Sequence, residues 1–171
     1  MTRPPYVVTP VAERPQDPCP RCKRVGRPVE RITLKALLRP PGLVRLSAAH
    51  HRFCPTSDCP VVYNGREESF ERDDITVPVF QKEVPGARLI CYCLSVTEAD
   101  IRREILESGR SATADQIRTL VNTGRCACEV KNPQGSCCLG NVAAVTKTVH
   151  DKAQGSAEPT DPPAPTHRAA P

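Results

Sequence analysis

The chain has 171 residues, a net charge of +5 and 39% apolar residues, enough for one ordinary domain or two small ones around a modest core. No stretch approaches transmembrane length, and no long apolar run follows the basic amino-terminus, which argues against membrane insertion and a secretory signal. The expected location is therefore cytoplasmic, where ten cysteines point to metal ligation and away from a disulfide framework.

Residues 1–18 and 150–171 are rich in Pro, Ala and polar residues without apolar periodicity, and they read as disordered tails. From Arg21 to Arg52 the charged residues are basic with the single exception of Glu30, whereas the segment from Asp58 to Asp74 is mainly acidic. A basic lobe of this kind can meet an acidic partner or nucleic acid. Six scattered aromatic residues make a poor base-stacking platform, so nucleic acid is disfavoured and a solvated surface is the simpler reading.

Residues 19–74 form the first cysteine unit. "CPRC" is a two-residue knuckle that lets Cys19 and Cys22 converge on one ion, and "CPTSDC" supplies Cys54 and Cys59 at a spacing that structural zinc sites tolerate. These four read as a closed four-thiolate zinc site that contributes folding energy and leaves no open position for catalysis. Between the pairs, "GRPVERITLKALLRPPG" predicts a strand and then a short helix capped by Thr33 and ended by Pro40 and Pro41. "HRFC" and "VVYNGREESF" predict short strands with a hairpin turn at Asn64-Gly65.

Residues 75–90 contain no cysteine, and "VPVFQKEVPGA" reads as an extended connection. Residues 91–149 form the second unit. "RLICYCLSV" is strand-like, so that Cys91 and Cys93 project to one side. "TEADIRREILESG" predicts a helix with Thr97 as N-cap, Asp100 closing the capping box, Ile101 and Ile105 inward, and Gly109 as the stop. "TADQIRTLVNTG" predicts a second helix, with Thr113 and Gln116 as a capping box and Ile117, Leu120 and Val121 facing inward. After "CACEVKNPQGSCC", Leu139, Val142, Val145 and Val149 recur at helical spacing, giving a third. The fold class expected is α+β: a small β-rich zinc lobe followed by a small helical domain.

Six cysteines in this second unit exceed what one four-thiolate centre needs, and thiolate count alone leaves zinc and iron open. "CYCLSVTEADI", with later cysteines set before a terminal helix, resembles the [2Fe-2S] domain of bacterioferritin-associated ferredoxin. The ordered set of "CPRC", "CPTSDC" followed by "VVYN", "CYC" and "NPQGSCC" resembles the N-terminal domain of CopZ-type copper chaperones, over about Cys19 to Val149. That resemblance implies a [2Fe-2S] cluster on Cys91, Cys93, Cys128 and Cys138, and Zn2+ on Cys19, Cys22, Cys54 and Cys59. Cys126 and Cys137 stay unassigned, as buried or neighbouring thiols or as ligands for Cu(I), which soft thiolates suit.

The function implied is a metallochaperone-like redox protein that moves one electron at a time in copper or other soft-metal handling. Its implied partner is a copper chaperone, a metal-export ATPase or another redox protein. The chain shows no MxCxxC copper motif, since Met1 is its only methionine, so autonomous copper delivery is not expected, and three roles stay open: electron donation to a separate chaperone, action on another soft metal ion, or Cu(I) binding by Cys126 and Cys137. The alternative is a zinc-stabilised adaptor contacting nucleic acid or an acidic protein, with both cysteine groups structural. No phosphate loop, metal-hydrolase helix or serine nucleophile elbow is present, and no histidine has a local partner arrangement for cysteine catalysis, so an enzyme is not expected.

Overall fold

The computed structural model describes residues 17–155. Of the tails expected to be disordered, 1–18 and 150–171, residues 1–16 and 156–171 lie outside the described residues. In the amino-terminal lobe, β1 (Arg27–Val29), β2 (His51–Phe53), β3 (Val61–Asn64) and β4 (Ser69–Glu71) form a four-stranded antiparallel sheet in sequence order. Two short helices, α1 (Arg31–Leu37) and α2 (Pro40–Arg45), lie between β1 and β2. Val29, Leu34, Leu37, Phe53, Tyr63 and Phe70 fill the space between sheet and helix, and side chains of this size contribute roughly 2 kcal/mol each on full burial.

Thr33 does not cap α1. Glu30 holds that position, and Thr33 sits inside the helix, where its hydroxyl donates to the Glu129 carbonyl at 2.5 Å, a tertiary partner that no local pattern announces. Pro40 and Pro41 end α1 and also begin α2, because proline's fixed φ suits the first helical turn, where its missing N–H is no loss. The hairpin at Asn64-Gly65 forms with a loop over residues 65–68, closed by Gly65 N–H donating to the Glu68 carbonyl at 2.8 Å.

The segment from Ile75 to Lys82 packs against both cores, whereas residues 83–87 are exposed. Thr76 N–H donates to Leu37, Val79 joins the first core, and a 3₁₀ turn at Phe80–Lys82 sends Phe80 into the second. That second core is built on the hairpin β5 (Leu89–Cys91) and β6 (Val96–Thr97), and on α3 (Glu98–Ser108), α4 (Ala112–Asn122), α5 (Cys128–Lys131) and α6 (Leu139–Gly155). Ile90, Ile101, Ile105, Ile117, Val142, Val145 and Val149 are buried together, as the helical spacing of the apolar positions requires. Thr97 caps α3 with Asp100 in a reciprocal box, and Gly109 ends it at φ +77°.

Three local expectations change. Ser111 caps α4, accepting from Ala114 N–H, while the Thr113 hydroxyl is drawn to Glu104 of α3. The strand ends at Cys91 and a turn through Ser95, at φ +56°, carries Cys93, so the two cysteines do not share one extended strand. The third helix runs on through Gly155, taking residues 150–155 into it.

One ion pair ties the hairpin to its helix. Arg88 donates from two nitrogens to Glu98, at 2.8 and 3.0 Å, and Gly86 N–H donates to the same carboxylate at 2.9 Å. The Arg88 hydrogen bonds hold the Glu98 carboxyl below the usual range against the opposing effect of burial. A depressed carboxyl stabilises the fold above its unfolded value of about 4.3, and that stability is lost as pH falls through the folded value. Glu98→Gln is expected to lower stability by roughly 1–2 kcal/mol at neutral pH, read from urea midpoints, with the difference closing toward pH 3.

Candidate metal centres

The first centre is built from two loops. The chain turns back on itself at Cys19–Arg24, with Lys23 N–H donating to Cys19 and Cys19 N–H to Arg24, both at 2.9 Å. Lys23 takes φ +62° to close this knuckle, a left-handed conformation that costs a non-glycine residue about 1–2 kcal/mol. The second loop leaves β2 at Cys54 and returns at Cys59, where Cys54 N–H donates to the Val62 carbonyl.

These loops bring the Sγ atoms of Cys19, Cys22, Cys54 and Cys59 within 4.8 Å of one another. The Cys19–Cys59 and Cys22–Cys54 separations are 3.7 and 3.5 Å. A tetrahedral site with Zn–S bonds of about 2.3 Å has an S–S edge of about 3.8 Å, so spacing and donor type both fit Zn2+. Three of the four residues are buried, and Val61 packs beneath them.

The hydroxyl of Thr56, inside the "CPTSDC" loop, lies 3.4 Å from Cys22 Sγ and brings that thiol down to about 6. Burial pushes Cys59 up to about 12 and raises Cys54 as well. Zinc takes its cysteines as thiolates, so its binding expels the protons these thiols hold.

The second group gathers around the start of α5 and the start of α6. The thiols of Cys91, Cys93, Cys128 and Cys138, the four positions implied by resemblance, are near enough to act on one another electrostatically, Cys138 with Cys91 and Cys128, and Cys128 with Cys93. Cys126 also touches Cys128, while Cys137 stays exposed at the rim. The Ala127 N–H donates to Cys93 Sγ at 3.3 Å and Leu139 N–H to Cys137 Sγ at 3.5 Å. Hydrogen bonds from Cys138 hold Cys91 and Cys128 down at about 6, and Cys138 is correspondingly pushed far up. Among the described residues the first four cysteines are the one such group whose ligand atoms all lie within 4.8 Å of one another, so the second set is more spread out.

The loop between Cys128 and Cys138 is held by the first lobe. Tyr63, fully buried, donates its hydroxyl to the Pro133 carbonyl at 2.8 Å, and Gln81 donates to Gln134 at 2.6 Å. Gly135, at φ +64°, passes so close to Val29 that an added Cβ would sit 2.6 Å from its Cγ2. Asn132 and Gln134 are buried and bond back to the loop's own backbone at Ser136 and Cys137. Thr33, Tyr63 and Gln81 were invisible as supports in the sequence, because their partners are 53 to 96 residues away.

Residues 16–76 match the CopZ-type family described as a zinc binding domain. Over 121 residues the chain is 29% identical to the copper chaperone CopZ of Archaeoglobus fulgidus, covering 70% of this chain and 57% of that protein. The chain therefore spans little more than half the length of that relative. The X-ray structure of the A. fulgidus CopZ N-terminal domain is similar with a TM-score of 0.61 at 25% identity, covering 75% of this chain and 96% of that one. Together with the four gathered thiols, these likenesses make residues 16–76 a four-cysteine zinc-binding lobe and the chain as a whole similar to the CopZ N-terminal domain.

Proposed function

We propose that the chain is an electron carrier in soft-metal handling, with a structural zinc in the first lobe and a [2Fe-2S] cluster held by Cys91, Cys93, Cys128 and Cys138. The observation that carries this reading is the second thiol group, largely buried and less compact than a mononuclear four-thiolate site. A centre with two iron atoms distributes its thiolates over a longer span than one zinc does, and it supplies a one-electron couple when bound. The residues suit that role. Cys91, Cys128 and Cys138 are buried, Cys93 is half-buried, and the Ala127 N–H placed on Cys93 Sγ is the kind of donor that stabilises added negative charge.

Copper enters through the likeness to a copper chaperone. A one-electron carrier of this type would serve Cu(II) reduction ahead of Cu(I) transfer, with a chaperone or export ATPase as partner and no enzymatic chemistry of its own. Cys126 and Cys137 act on each other electrostatically and offer two further thiols to a soft ion. The competing reading is an adaptor with zinc in both groups.

Anaerobically purified protein is expected to be red-brown, with about two irons, two acid-labile sulfides and one zinc per chain. A colourless protein with two zincs would falsify the cluster reading. Cys128→Ser is expected to lose the visible absorption and Cys126→Ser to keep it. The reverse pattern would move the ligand to Cys126.

A further inference from the structure

Lys82 is the one buried lysine or arginine among the described residues, at 5% exposure. Its Nζ donates to the carbonyl oxygens of Thr56 at 2.7 Å and Cys59 at 3.0 Å, both in the loop that presents the second pair of zinc thiols. Among the described residues it makes no ion pair with a carboxylate. A buried ammonium group without an opposite charge is strongly unfavourable, and two carbonyl dipoles solvate it without neutralising it.

The opposite charge is available in the metal site itself. Four thiolates around one Zn2+ leave a double negative charge, in a site whose cysteines are mostly buried. The charge on Lys82 already acts on Cys54, pulling against the rise that burial imposes on that thiol. The other cations near the loops, Arg21, Lys23, Arg24 and Arg72, the last donating to the Ser57 carbonyl at 2.9 Å, are exposed, where water screens them.

Lys82 also belongs to neither lobe's sheet or helices. It ends the 3₁₀ turn Phe80–Lys82, whose Phe80 packs in the second core and whose Gln81 bonds to Gln134 of the loop between Cys128 and Cys138. Three consecutive residues therefore touch the zinc loops, the second core and the second thiol loop.

We propose that Lys82 is the counter-cation of the four-thiolate zinc site, and that the turn it ends couples filling of this site to the anchoring of the loop between Cys128 and Cys138. The inference rests on the zinc reading of the first centre and is independent of what the second centre binds. Without zinc, Lys82 is a buried charge with a deficit of partners and its turn is loosened. With zinc, the charge is matched and the turn is drawn onto the first lobe.

The test uses the full chain as Lys82→Met and Lys82→Arg, with zinc affinity measured by competition against a chromophoric chelator. Lys82→Met is expected to bind zinc about tenfold or more weakly, in the range found for residues that support metal ligands. Lys82→Arg is expected to retain most of the affinity. Zinc-stripped Lys82→Met is expected to melt no lower than the zinc-stripped parent, because the uncompensated charge is gone.

A residue that merely fills space would lower melting equally with and without zinc and leave zinc affinity unchanged, and that result overturns the proposal. For the coupling, zinc is expected to slow amide hydrogen exchange at residues 132–136 in the parent and much less in Lys82→Met. Equal slowing in both overturns that half. A parent protein that binds no zinc would remove the four-thiolate reading, and this inference with it.

Discussion

Stripping zinc from the first centre, or replacing Cys54 by Ser, is expected to lower the melting temperature of the amino-terminal lobe steeply. Its strands are three or four residues long, and the loops at Cys19–Arg24 and Cys54–Cys59 meet chiefly through their thiols and Val61. A structural zinc contributes on the order of 10 kcal/mol, comparable with the whole stability of an ordinary domain. The neighbouring core of Leu34, Phe53, Tyr63 and Phe70 is too small to replace it. Far-ultraviolet circular dichroism should show a loss of tens of degrees in melting temperature after chelation, by the usual relation between free energy and melting point for a small domain.

An unchanged melting curve after verified zinc removal would show that the site carries no folding energy. The pH dependence has a definite sign. Zinc binds thiolates, and burial makes Cys54 and Cys59 hold their protons above the ordinary thiol range, so binding weakens as pH falls. The first centre should therefore release zinc on acidification before the carboxylate pairs of α3 titrate.

Gly135→Ala is expected to free the loop that carries Cys128 and Cys138 to the second centre. The added Cβ would sit 2.6 Å from Val29 Cγ2 and 3.2 Å from the Thr33 hydroxyl, at a backbone φ of +64°. Left-handed strain and overpacking together cost about 2–4 kcal/mol. Moving the loop off the first lobe breaks the Tyr63–Pro133 and Thr33–Glu129 hydrogen bonds and releases two of the four thiols. The expected result is loss of metal from the second centre with zinc retained in the first. Gly140→Ala, which meets nothing within 4 Å, is the matched control and should keep both. Full metal content in Gly135→Ala would mean that the loop does not need the first lobe.

Much of the local structure was legible in the residues. The α3 capping box at Thr97 and Asp100, the stop at Gly109, the inward stripe of Ile101 and Ile105, and the short strands at "HRFC" and "VVYN" all follow from patterns that span a few residues. Local reading failed where a side chain had a better distant partner. Thr33 left its capping role for Glu129, and Thr113 left its own for Glu104. Each hydroxyl went to an acceptor that folding brought within reach, on the preceding helix for Thr113 and 96 residues along the chain for Thr33.

The two cysteine groups divide the same way. Cysteine spacing by itself determined that Cys19, Cys22, Cys54 and Cys59 belong together, because a two-residue or four-residue knuckle can converge on one ion wherever the chain goes next. Only the tertiary structure decided how the second group is arranged. Cys91 ends a strand, Cys93 sits on a turn, Cys128 opens a helix and Cys138 precedes another, and their convergence depends on the loop that Tyr63, Thr33 and Gln81 hold from a distance. Lys82 belongs to the same class. Nothing in "VFQKEV" marks a buried cation, and its role arises from the carbonyls and thiols that the fold sets around it. Spacing encodes what nearby residues do to one another, whereas charge pairing and packing between lobes exist only once the chain has closed on itself.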